Sequence, residues 1–262
     1  MKTITKFLLK LTSVCSIVLI ATLNASQLAV VGQPTPDVDG KPITQSGGPR
    51  FVQPREDIDD RPPTHPRGPV VRGGCGSSSQ LGLKALVPTN KRGRTVSDYP
   101  TFLFYLPQTG AELAEFTLEE DESGKQIYKQ DLTISNLSGV IGVSIPANQN
   151  VPPLEVGKTY TWNFTVICDS QDRSSDQMET GIVRRVELSA DIRSQLEKAD
   201  PRQKTFIYAQ NGIWQDALST LVAARRANPN DAELVADWKI LLDSVKLGEI
   251  AAEPIVPIEA QP

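Results

Sequence analysis

TYTWNFTVIC (Thr159–Cys168) decides how this chain is read. Tyr160, Trp162, Phe164, Val166 and Cys168 fall on one side of an extended backbone, and Thr159, Thr161, Asn163 and Thr165 on the other. Successive side chains of a strand point to opposite faces, so this alternation predicts a strand with one dry and one wet face. Cys168 belongs to the dry side.

The same period runs outward from there. TFLFYLP offers Phe102, Phe104 and Leu106; AEFTL offers Ala114, Phe116 and Leu118; VIGVSIP offers Ile141, Val143 and Ile145. Between two such runs, Asp121, Ser123 and Gly124 suit a chain reversal. Strands are expected near Gly82–Val87, Thr101–Leu106, Glu112–Leu118, Gln126–Ile134, Val140–Ile145, Lys158–Cys168 and Gly181–Leu188. Short strands separated by Pro, Gly and Asp turns predict an antiparallel β-sandwich, immunoglobulin-like in architecture, over residues 75–188.

The period then changes. Ser189 is a candidate N-cap with Asp191 in the first turn, and Asp200 precedes Pro201, a cap followed by proline at the first helical position. Trp214, Ala217, Leu218, Leu221 and Ala224 form a stripe at helical spacing that Asn228-Pro229 ends. Asn230 or Asp231 starts a last helix carrying Leu234, Trp238, Leu241, Leu242 and Val245. The fold class expected is thus α+β, mainly β, with a helical end over residues 189–252. Gly212, Trp214, Ala217, Leu221, Ala224 and Pro229 resemble the second helix of a tetratricopeptide repeat, with Tyr208 in the first. Pro201 and Lys204 stand where that first helix usually has large residues. A solenoid of such units needs about three of them. A single hairpin must have its apolar stripe covered by something else, and the sandwich is the expected cover.

Two flanks are read from composition. MKTITKFLLK carries Lys2, Lys6 and Lys10, and the apolar run LTSVCSIVLIATL follows. That run falls short of the roughly 20 residues of a membrane span. With small Ala25 after it, it reads as a signal peptide over residues 1–25. Leu23 sits where a small residue is preferred, so an uncleaved anchor is the alternative. Residues 26–74 are crowded with proline and glycine and are expected to be a disordered spacer, a plain linker before a tether or a proline-rich ligand. Residues 253–262 are expected to be a disordered tail.

Without Cys15, which lies in the signal, two cysteines remain, Cys75 and Cys168. In an oxidising compartment they can form one intrachain bridge, worth up to about 4–5 kcal/mol for so long a loop. Unbridged thiols or a zinc site are the alternatives. Zinc wants three or four ligands at defined spacing, and the lone His65 lies in the proline-rich tract.

The net charge of −4 argues against a nucleic-acid partner. With its one histidine in the spacer, the chain lacks the usual general base, and neither a P-loop nor a G-x-S-x-G sequence occurs. Glu119, Glu120, Asp121 and Glu122 cluster at an expected hairpin tip, where water solvates them. More interesting is CDSQDRSSD, since Asp169, Asp172, Arg173 and Asp176 follow the best strand. Oxygen-rich loops bind calcium, yet the D-x-D-x-D-G spacing is absent, and a solvated loop is the default. Neither a cofactor nor a metal is expected.

The spans Cys75–Pro88, YPTFLFYLP (Tyr99–Pro107), LEVGKTYTWNFTVICD (Leu154–Asp169), DRSSD (Asp172–Asp176) and YAQNGIWQDAL (Tyr208–Leu218) together resemble the cyanobacterial domain of unknown function 928. Ile182-Val183 stands where an aromatic is expected after Gly181. The resemblance implies an exported protein with a β-rich part and a helical end, and it brings no activity with it. The expected function is that of a non-enzymatic interaction or structural component of the cell envelope, in the periplasm or at the cell surface. Its partner would be an envelope protein or a surface polymer. The alternative is a carbohydrate-binding or carbohydrate-active module using the sheet aromatics and the 169–176 carboxylates. Exposure of Trp162 and Tyr105 discriminates the two, because a sugar platform needs open aromatic faces.

Overall fold

The computed structural model describes residues 47–54, 75, 81–148 and 150–257. The expected signal peptide and His65 lie outside them. The fold is mixed α+β: two antiparallel-rich sheets pack together as a sandwich, and four helices follow. The smaller sheet has the order β1 (Lys84–Ala85), β3 (Thr101–Leu106), β6 (Gly139–Ser144). The larger has the order β2 (Arg92–Thr95), β8 (Gln177–Arg185), β7 (Thr159–Ile167), β4 (Leu113–Glu120), β5 (Gln126–Thr133).

Strand β7 sits in the middle of the larger sheet, and the dry residues Tyr160, Trp162, Phe164 and Val166 are buried on its inner face. Phe104 of the smaller sheet stacks on Phe164 at 4.2 Å and meets Trp162 edge-on at 5.6 Å. Phe102 lies 5.1 Å from Phe116. Offset and edge-on ring pairs of this kind add to plain area burial. Gly181 pairs with Trp162 across the ladder, and a Cβ there would stand 2.3 Å from the indole. The missing side chain is what lets the Trp162 indole come so close to β8.

Two features differ from the sequence reading. β2 was not expected, because RGRT carries no apolar residue to betray a strand. It runs parallel to β8, pairing Gly93 with Val183 and Thr95 with Arg185, so the sandwich is not wholly antiparallel. β8 also begins at Gln177, earlier than the apolar pattern suggested. The bridge between Cys75 and Cys168 closes a 93-residue separation with 4.9 Å between Cα atoms. It is half-buried at the sandwich rim, because β7 ends at Ile167 and leaves Cys168 just past the ladder. A disulfide points to an oxidising, extracytoplasmic location.

The helices are α1 (Ala190–Lys198), α2 (Pro201–Gln210), α3 (Trp214–Ala227) and α4 (Ala232–Asp243). Ser189 caps α1, and Asp231 caps α4. Asp200 and Gln203 form a reciprocal capping box on α2, with bonds of 2.8 and 3.0 Å. Arg202 of α2 grips the buried Asp237 of α4 through two nitrogens, at 2.5 and 3.2 Å. No helix of the described residues is long and apolar enough to cross a membrane.

Helix α3 packs on β2 and β3, and its residues share one core with both sheets. Trp214 is fully buried and donates from Nε1 to the carbonyl of Leu86 at 2.8 Å. Residues 47–54, inside the span expected to be a spacer, and residues 254–256, inside the expected tail, join this assembly. Phe51 meets Trp214 edge-on at 5.0 Å, Val52 N donates to Ala209 O at 3.0 Å, and Phe51 N donates to Ser244 Oγ at 3.1 Å. At the other end, Val140 N donates to Pro254 O at 2.7 Å and Val256 N to Val140 O at 2.8 Å, which adds residues 254–256 alongside β6. Proline-rich backbone offers unpaired groups to any neighbour, and Phe51, Ile255 and Val256 supply apolar contacts beside it. Composition alone does not register so local an anchor.

Candidate functional site

The loop after β7 was the first candidate, and its side chains do gather there. They bond to the loop itself. Asp176 accepts from Cys168 N at 3.1 Å and pairs with Arg173. Asp172 accepts from Ser174 N at 3.0 Å and caps the single turn Arg173–Ser175, and Asp169 accepts from Gln171 N at 2.8 Å. Hydrogen bonds from the Ser174 side chain and backbone hold the Asp172 carboxyl below its ordinary range. These are bonds that shape a loop. Among the described residues no group of three or more His, Cys, Asp or Glu side chains is placed to hold a metal ion. At the hairpin between β4 and β5, Glu120 accepts from Ser123 Oγ at 2.6 Å and pairs with Lys158 at 2.6 Å.

The aromatic candidates are inside the protein. Trp162 is 0% exposed and Tyr105 is 2% exposed. A cavity between α3 and the sheets, lined by Leu103, Trp162, Trp214 and Gln215, has about 10 Å³. That is the space of one water and excludes an organic ligand. Beside it, the first turn of α3 presses on β2. Gln215 lies against Gly93, where a Cβ would stand 2.2 Å from its amide nitrogen. Asp216, 9% exposed, accepts from Val96 N at 3.1 Å and from the Thr95 hydroxyl. Burial pushes the Asp216 carboxyl up to about 6, against those hydrogen bonds, which pull it down. Sequence reasoning missed this junction, since neither β2 nor an acid in a helical first turn gives a periodic signal.

The outer face of the larger sheet is polar. Thr161 Oγ1 donates to Asp121 at 2.9 Å, and Asn163 donates to Thr117 Oγ1 at 3.3 Å. Near the end of β8 a shallow cleft of about 290 Å³ is lined by Arg94, Arg184, Arg185 and Glu187 together with Val156 and Gly157. Arg185 is engaged by Asp98 and by the carbonyl of Leu154. Arg94 and Arg184 also have partners, so the cleft is a network of ion pairs and hydrogen bonds more than a receptor for an anion.

The sheet edges differ in length. α3 packs on the inner side of β2, which is four residues long, residues 254–256 bond β6 at Val140, and β1 is two residues long. β5 has eight residues, no proline, and among the described residues no strand on its far side. Long uncovered edges are templates for pairing, and proteins ordinarily blunt them. Ile134 N donates to Glu112 O, and Asp121 N to Thr159 O. Counting by two along the registers from these bonds, Gln130 and Leu132 turn their main chain to β4, while Lys129 and Asp131 turn theirs outward. On the outer face the Lys129 side chain pairs with Glu115 at 2.5 Å and stands 4.0 Å from Asp131, which is 68% exposed.

Comparison with known families places the chain. It belongs to the family described as Domain of Unknown Function (DUF928), whose profile matches residues 67–255. That span ends among the residues that bond Val140 of β6. No curated protein matches the chain.

Proposed function

We propose that this chain is an exported, non-enzymatic interaction or structural protein of the cell envelope, and that it engages a protein partner through the open β5 edge of its sandwich. The observation that carries the reading is the length of that edge: β5 has eight residues against two, four and six for β1, β2 and β6, and among the described residues no strand pairs with its far side. Strand addition at such an edge gives affinity through main-chain bonds and specificity through alternate side chains. The sandwich is immunoglobulin-like in architecture. The α2–α3 hairpin is a tetratricopeptide-like unit serving as a cap, a reading supported by the full burial of Trp214 in α3 and of Trp238 in α4. Burial of Trp162 and Tyr105 likewise counts against a sugar platform on the sheets.

The test is affinity capture from envelope extract with the exported protein and with Asp131→Pro. The Asp131 N–H points away from β4, so proline there removes an outward donor without breaking the internal ladder. A protein captured by the natural chain and lost with Asp131→Pro, at an unchanged melting temperature, is the expected outcome. Equal capture by both would refute the edge as the binding surface.

A further inference from the structure

The charges along β5 select a partner for its edge. The strand reads QIYKQDLT, with Lys129 and Asp131 flanking Gln130 and both presenting their main chain to the free side. Resting on the reading above, we propose that the occupant is a second copy of this chain, its β5 antiparallel to this one about a two-fold axis at Gln130, so that two five-stranded sheets become one of ten strands.

A two-fold interface must be complementary to itself. With the axis at Gln130, Lys129 of each copy stands directly opposite Asp131 of the other. Both residues have outward main-chain groups, so each opposed couple is a hydrogen-bonded pair of the new ladder. Opposite charges directly across a ladder stabilise it, and like charges destabilise it. Moving the axis one residue either way fails on this criterion. Centred on Lys129, the pairing sets lysine against lysine; centred on Asp131, it sets aspartate against aspartate. Axes between residues fail for a different reason, since they would oppose an outward main chain to an inward one. Among axes that keep the hydrogen-bond parity, the one at Gln130 is the one that sets Lys129 against Asp131. The same register puts half-buried Tyr128 opposite Leu132 of the second copy, on the side of the sheet that faces the core. The rim position of the Cys75–Cys168 bridge leaves that disulfide unaltered by the pairing.

The register makes the inference easy to break. Sedimentation of the oxidised protein should give a dimer within the range up to about 100 μM. Asp131→Pro should give a monomer at the same concentration, with the melting temperature that the natural chain shows when diluted below its dimer range. Lys129→Asp should weaken the dimer, and Lys129→Asp combined with Asp131→Lys should restore it. Gln130→Cys provides a test independent of charge. At a non-hydrogen-bonded antiparallel pair the Cα atoms stand about 4.5 Å apart, inside the range a disulfide spans. Mild oxidation should therefore cross-link Gln130→Cys into a dimer and leave Lys129→Cys monomeric. A natural chain that stays monomeric at about 100 μM, a dimer that survives Asp131→Pro, or cross-linking of Lys129→Cys in preference to Gln130→Cys would each overturn the proposal. If the chain is monomeric but Asp131→Pro abolishes capture of a different envelope protein, the edge stands as a binding surface and only the second copy falls.

Discussion

Replacing Asp216 by asparagine should remove a pH dependence that the helix–sheet junction builds into this fold. The carboxyl sits in the first turn of α3, takes hydrogen bonds from Thr95 and Val96, and is raised to about 6 by burial. In the unfolded chain it titrates near about 3.9. Between those values the folded state binds more proton than the unfolded one. The stability this group contributes is therefore full below about pH 4, falls as pH rises to about 6, and is flat above. The size of the shift corresponds to about 3 kcal/mol. The first turn of a helix favours a negative charge by about 0.3–1 kcal/mol, which asparagine forgoes. Relative to the natural chain, Asp216→Asn should be near neutral at pH 4. At pH 7 it should be more stable by about 2–3 kcal/mol. Urea unfolding from pH 4 to 7.5 reads this directly as a shift in midpoint at constant slope. Other carboxylates, such as Asp172 with its lowered range, slope the opposite way in both proteins and cancel in the difference. A variant that is instead less stable at pH 7 by more than about 1 kcal/mol would refute the reasoning. The bonds from Thr95 and Val96 would then outweigh the cost of burying the charge.

Two further expectations concern the helical end. Trp214→Ala removes a fully buried indole, its bond to Leu86 O and its contact with Phe51, and should cost about 3–5 kcal/mol in one cooperative transition; an unchanged melt would separate the helices from the sandwich core. Deleting the chain up to Arg72 takes away the anchor at Phe51 and Val52 and should lower stability by roughly 1–2 kcal/mol, apolar burial net of ordering. A truncated protein that melts with the full chain would mean that residues 47–54 add nothing.

Much of this fold was legible because most of its core side chains recur with a period. The alternation of β7, the cap at Ser189, the Asp200-Pro201 start and the stripe through Trp214 are patterns that burial and hydrogen bonding write into sequence. β2 was illegible for the opposite reason. Its inward positions are Gly93 and Thr95, one chosen so that Gln215 can lie on bare backbone and the other to bond Asp216. Both residues answer to α3, more than a hundred residues later in the chain, and no local period records that. The anchor at residues 47–54 was hidden in the same way. Phe51 is a single ring in a proline-rich stretch, and only the position of Trp214 gives it meaning.

The candidate site is harder to read than the fold because it is an edge and not a face. Periodicity says which side chains turn inward. It says nothing about which strand is a strand's neighbour, and hence nothing about which strand, among the described residues, ends the sheet. KQD within QIYKQDLT looks like an ordinary solvated run until the order β2-β8-β7-β4-β5 places it on the outside. The parity fixed by the bonds at Ile134 and Asp121 then turns Lys129 and Asp131 outward together. Only at that point do their opposite charges become a statement about a partner. A lysine on an edge strand usually serves to keep other strands away. Lys129 followed two residues later by an acid with the same outward parity loses that protective effect against one arrangement, the antiparallel copy centred between them, and keeps it against registers that set like charge on like. An edge built this way discourages the registers that set like charge on like and favours the one that sets Lys129 against Asp131.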